Sequence, residues 1–195
     1  MASLTLYAGN TANIKSQGEP WDVPNYDEVS NNTEMSIEGS VNGVQENSDR
    51  WRSPLYFDTS SIPDNAIISD VTIRLYVTAK TTDGASSGIQ VTLSTSTNTS
   101  TYATSDYNKV STALGSLAKA GITTSAWNEI SLTNPSTNIS KTGNTQMFLL
   151  ENYDYVGTYP GNSQNIYTIS GSNDGTYKPQ LVITYSLPAG FFALL

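Results

Sequence analysis

Residues 52–77 read RSPLYFDTSSIPDNAIISDVTIRLYV. Two strands flank a polar turn in this stretch. Tyr56 and Phe57 close the first strand on Asp58, and the turn carries Pro63 and Asn65. The second strand places Val71, Ile73, Leu75 and Val77 at every other position. Strict alternation over that length marks an antiparallel strand with one face in a core and the other in solvent. Near the end of the chain, Lys178–Tyr185 (KPQLVITY) carries a second dense apolar run. Its Leu181 and Ile183, or alternatively Val182 and Thr184, are expected to meet the first set in the interior.

Outward from these two segments, strand signals recur at intervals too short for βαβ units, with clusters of Gly, Asn, Asp and Pro between them. Strands are expected near residues 4–8, 12–16, 35–40, 52–57, 69–79, 89–94, 127–132, 146–151, 165–170 and 179–185. Leu4 and Leu6 face inward in the first of them. Pro54 has no N–H to give a ladder, so its strand is expected to be an edge or to bulge there. Residues 17–33 hold two prolines and no period, and read as a long loop; residues 81–88 read as a turn. Tyr107–Ala120 is the one helical candidate, with Val110, Leu114 and Leu117 spaced by four and three, cut short by Gly115 and Gly121. A single turn over Pro135–Ser140 would aim Ile139 inward. The expected fold is all-β: a single antiparallel β-sandwich of jelly-roll type with one or two short helical turns, spanning 1–186, followed by an apolar tail, 187–195.

Composition narrows the partners. The 195 residues carry 9 Lys plus Arg against 17 Asp plus Glu, a net charge of −8. Nine scattered cations form no basic stripe, which argues against nucleic acid and against anionic membranes. Polarity comes chiefly from hydroxyls and amides, since only 13% of residues are charged. Nine of the carboxylates lie between Glu19 and Asp58, a solvated face or a patch for a cation or basic partner. Cysteine and histidine are both absent, which removes disulfides, imidazole metal sites and His-based triads. No stretch reaches the length of a transmembrane helix. The first ten residues, MASLTLYAGN, lack the basic and apolar regions of a secretory leader and read as a strand. That reading favours a protein assembled from the cytoplasm.

Segments 57–63 (FDTSSIP), 66–77 (AIISDVTIRLYV) and 178–185 (KPQLVITY) resemble the strand motifs of carbohydrate-binding-like β-sandwich modules of the DNRLRE or disaggregatase-related type. Such modules occur in secreted bacterial proteins and in phage and uncultured-microbe proteins. The resemblance runs from about Arg52 to Tyr185 and implies a β-sandwich with a capacity for carbohydrate. Between Thr95 and Ser111 the chain departs from the Trp-rich segment of those modules.

Motifs for catalysis are missing: no nucleophile elbow, phosphate loop, zinc-protease helix or dinucleotide fingerprint occurs. Glu129 and Glu151 are the candidates for a carboxylate pair, and no enzymatic activity is expected. Trp21, Tyr26, Tyr153, Tyr155 and Tyr159 fall in expected loops, where exposed rings would stack on sugars; Trp51 and Trp127 open strands and are expected in the core. Asn25, Asp27 and Glu28, and separately Glu151, Asn152 and Asp154, offer oxygen donors of the kind a structural calcium ion takes, without the spacing of an EF-hand. No other cofactor is indicated. Phe191, Phe192, Leu194 and Leu195 make an apolar end that either folds back or docks on a partner.

Two functions follow as expectations. The first is a structural surface protein of an assembled particle, a phage capsid decoration or fibre module at the virion surface, whose partners are other subunits including copies of itself. The second is an extracellular carbohydrate-binding or adhesion module.

Overall fold

The computed structural model describes residues 1–21, 28–30, 34–41, 47–99 and 101–188. Thirteen strands are described: β1 (Ala2–Tyr7), β2 (Asn10–Thr11), β3 (Asn13–Glu19), β4 (Glu28–Ser30), β5 (Glu34–Val41), β6 (Ser48–Asp58), β7 (Ile67–Thr82), β8 (Gly88–Ser94), β9 (Val110–Ala118), β10 (Ala126–Ser131), β11 (Asn144–Glu151), β12 (Asn165–Ser170) and β13 (Gln180–Ser186). The short helices are α1 (Pro135–Asn138) and α2 (Asn152–Val156). All pairings are antiparallel. The sheet order is β1-β13-β7-β12-β5-β6-β11-β8-β9, with β10 on β7, β2 and β3 on β6, and β4 on β3. This is an all-β sandwich made by curling one sheet.

Two long strands make the curl. β7 pairs with β13 over its first half and with β12 over its second, while β10 lies along its middle. β6 begins against β5 and β3 and ends against β11 and β2, so it passes from one layer to the other. Pro54 sits at that passage. β3 pairing ends at Arg52 and β2 pairing begins at Leu55, so the missing N–H falls in a gap of the ladder inside the sheet, not at an edge. The curl brings β9, at one end of the order, to the β10 branch on β7, where the Thr133 amide donates to the Leu114 carbonyl at 2.7 Å.

The main core fills the space between the layers. Val71, Ile73, Leu75, Val77, Leu181 and Ile183 are fully buried there with Met35, Ile37, Leu55, Phe57, Met147 and Leu149. Leu4 and Leu6 are half-buried against it. A second cluster of Ala12, Ile14, Tyr102, Tyr107, Phe148 and Leu150 packs apart from the first. β11 contributes alternate residues to each, which is why Thr145–Glu151 is a continuous buried run.

Three sequence expectations are corrected. Tyr107–Ala120 is not an α-helix: a 3₁₀ turn at Thr104–Asp106 leads into β9, and a second one at Lys119–Gly121 follows it. Register shifts against β8 break the two-residue period of β9 and leave apolar side chains at helix-like spacings. Residues 17–33 are not all loop, since β3 runs to Glu19 and Glu28–Ser30 pairs with it as β4. Trp51 and Trp127 are only half-buried, and neither belongs to a core cluster. The turn at Pro135–Asn138 is present and Ile139 is buried.

Candidate functional site

Alternation on β7, β10 and β13 aims one set of residues at the core and the other outward. The outward set includes Tyr76, Arg74 and Thr72 on β7. Trp127, Glu129 and Ser131 stand opposite them on β10. The ladders continue across β13 and β1, so that Glu129, Arg74, Gln180 and Tyr7 form one row and Ser131, Thr72, Val182 and Thr5 the next. Three strand spacings of about 4.8 Å make each row roughly 14 Å wide.

At one end of this face three rings gather. Tyr177, from the turn before β13, stacks on Tyr76 with centroids 3.9 Å apart and planes 14° from parallel. Trp127 meets both rings edge-on, at 5.7 Å from Tyr76 and 6.2 Å from Tyr177. Tyr177 is held by its own turn: the amides of Thr176 and Tyr177 donate to Asp174 Oδ1 at 2.7 and 2.8 Å. The Tyr177 amide, then that of Thr176, keeps the Asp174 carboxyl below its ordinary value. Beside the rings, Arg74 Nε donates to Glu129 Oε1 at 2.9 Å and Nη1 to Gln180 Oε1 at 2.8 Å. Its guanidinium carbon lies 5.0 Å from the Trp127 ring. Aromatic planes flanked by a planar amide and a paired guanidinium–carboxylate make an amphipathic surface. It can pack against C–H groups and exchange hydrogen bonds with hydroxyls.

A different constellation closes one end of the sandwich. The Glu151 carboxylate, fully buried, accepts from the amides of Gly88 (3.1 Å) and Tyr153 (2.6 Å). A Cβ on Gly39 would stand 2.6 Å from Glu151 Oε2, so only glycine lets β5 pass. Asn165 takes the Gly84 amide on Oδ1 and donates Nδ2 to the Gly39 carbonyl and Ser163 Oγ. Ser87 and Tyr167 share a hydrogen bond at 2.8 Å. Burial pushes the Glu151 carboxyl up to about 7, against the pull of the hydrogen bonds it accepts. A cleft of about 130 Å³ opens nearby, lined by Ser86, Ser87, Ile89, Ser116, Leu117 and Asn152 among others. This network knots the β7–β8 turn, α2 and the segment before β12 together.

The residues singled out from sequence are dispersed. Trp21 is buried, edge-on to Tyr159 at 6.5 Å and 5.2 Å from the Arg50 guanidinium. Tyr153 is half-buried, its hydroxyl accepting from the Ser86 amide. Tyr155 and Tyr159 are exposed at 38% and 37%. Tyr26, Asn25 and Asp27 lie outside the described residues, as do Phe191, Phe192, Leu194 and Leu195. Glu28 is exposed and pairs with Lys15 at 3.2 Å. Glu151, Asn152 and Asp154, adjacent in sequence, turn to separate partners: backbone amides for Glu151, the Ser86 carbonyl for Asn152, and Arg52 for Asp154. Among the described residues no group of three acids gathers to hold a metal ion. Glu129 lies on the outer face and Glu151 in the interior.

Sequence reasoning missed the Tyr76–Trp127–Tyr177 surface. A signal was present: Trp127 and Ile130 are an odd number of residues apart, so if Ile130 faces the core Trp127 cannot. No protein-family model and no curated protein matches this sequence.

Proposed function

We propose that this protein is a non-enzymatic carbohydrate-binding module and that the outer face of β10, β7 and β13 is its binding surface. The observation that carries the reading is the half-exposed trio Tyr76, Trp127 and Tyr177, with Arg74, Glu129 and Gln180 beside it. Large rings on the solvent side of a sheet sacrifice burial that a core would give them, and pyranose C–H faces recover it. The test is a glycan array probed with the wild type and with Trp127→Ala and Tyr177→Ala. Signals present for the wild type and lost in both variants support the reading; signals unchanged in both overturn it.

A second reading, a surface protein of an assembled particle, is favoured by one corner of the sheet. Met1, Ile67 and Leu187 sit at adjacent strand ends, exposed at 101%, 56% and 52%. β1 beside them is the terminal strand of the sheet order, and its six residues, ASLTLY, carry no charge or proline to discourage edge pairing.

A further inference from the structure

We propose that the ligand of the β10–β7–β13–β1 face is a neutral polysaccharide gripped along its length, an inference that rests on the carbohydrate-binding reading above. Three observations bear on the ligand. The first is shape. The aromatic trio stands at the end of an outward face four strands wide, not at the bottom of a pocket. Beyond it the rows present Thr72, Ser131, Thr5 and then Ser3 and Thr184, short hydroxyls level with the sheet. Among the described residues no element rises from this surface to sense a chain end, and the surface is wide enough for several sugar residues.

The second is charge. The face carries Glu129 and Asp70, both exposed, with Asp174 behind Tyr177; its further cations are engaged too, Lys80 Nζ by the Lys119 carbonyl and Lys178 by the charge of Asp174. Its central cation, Arg74, is engaged by Glu129 and Gln180 and lies over Trp127. Binding a uronate or sulfate would mean breaking that ion pair on a face that holds two further carboxylates, in a chain of net charge −8. A neutral ligand needs no such rearrangement.

The third is the second ring. Tyr7, 57% exposed, ends the row Glu129–Arg74–Gln180–Tyr7. With Trp127 on β10 and Tyr7 on β1, aromatic groups stand at opposite margins of the face, roughly 14 Å apart across the strands. A chain crossing the strands would meet both, whereas a mono- or disaccharide would meet one.

Affinity electrophoresis tests this, using gels cast with hydroxyethylcellulose, xylan or galactomannan as neutral polymers and with polygalacturonate or heparin as anionic ones. Retardation by at least one neutral polymer is expected. Tyr7→Ala and Trp127→Ala should each weaken it by about tenfold, the loss of one stacking ring. Thermal melts of both variants check that the fold survives. Competition by soluble oligosaccharides of the retarding polymer should strengthen from dimer to hexamer. Retardation only by the anionic polymers, with Trp127→Ala abolishing it, overturns the neutral ligand and leaves carbohydrate binding intact. A dimer that competes as well as a hexamer, or a Tyr7→Ala variant that binds like the wild type, overturns binding along the chain. No retardation by any of the five polymers overturns this inference, while the glycan array decides separately on the reading beneath it.

Discussion

Removing the guanidinium of Arg52 would strand several groups at once. It donates Nε and Nη2 to the two Asp154 oxygens at 2.7 and 2.9 Å, gives Nη1 to the Tyr107 carbonyl, and lies 3.9 Å from the Tyr107 ring. Asp154 is almost wholly buried, so Arg52→Ala should cost about 3–5 kcal/mol, chiefly by leaving that carboxylate uncompensated. Urea unfolding of the variant measures it. Two other acids act in the opposite sense. Burial raises Glu38 and Glu151 from the ordinary 4.5 to about 7. Each keeps its proton in the folded chain to a pH where the unfolded chain has lost it. The folded state therefore binds more protons between about pH 4.5 and 7, and stability falls as pH rises through that window before levelling off. Stability at pH 5 should exceed that at pH 8 by an amount on the order of a few kcal/mol for the pair, read as a higher melting temperature at pH 5. Glu38→Gln should narrow the difference by raising the pH 8 value. A flat profile would mean that neither acid is held neutral by the fold.

At the scale of elements, β7 ties together β13, β12 and β10, as β6 does for the other layer. Leu75, fully buried at its middle, should cost about 2–5 kcal/mol on truncation to Ala through lost burial and the cavity left behind. An unchanged melting curve would contradict its position. Gly39→Ala should also destabilise, by about 1–3 kcal/mol, since Glu151 is pinned by two amides and has nowhere to retreat. β7 was legible in the sequence because one side of it is solvent and the other core, so its period survives from Val71 to Val77, between the register shifts near its two ends. β13 was legible as a strand, but its dense apolar run left open which set faced inward, and packing against β7 selects Leu181 and Ile183. β9 was not: its register shifts mimic a helical period, and Gly115 is there because the Ser131 carbonyl would lie 2.6 Å from a Cβ. The aromatic surface was half legible. Tyr76, Arg74, Trp127 and Glu129 follow from strand parity once one core residue per strand is known. Tyr177 and Tyr7 depend on which strands become neighbours, and no local pattern encodes that.

For the molecule as a whole, the two functional readings divide on the last residues of the chain. Deleting 191–195 should leave the melting temperature of the monomer nearly unchanged and abolish self-association if the particle reading holds. Sedimentation velocity alongside thermal melts decides it, and a large loss of monomer stability would assign the tail to the domain instead. The order in which the sheet is filled has a consequence for synthesis. β13 lies between β1 and β7, yet both of those neighbours leave the ribosome long before it. At roughly 5–20 residues per second, a nascent chain waits on the order of 5–20 seconds after β7 emerges for the strand that fills the gap. Throughout that interval two strand edges that end up inside the sheet stand open to any other extended segment. The protein is therefore most exposed to mispairing before β13 arrives, so its yield on expression should depend on how quickly translation passes residue 186.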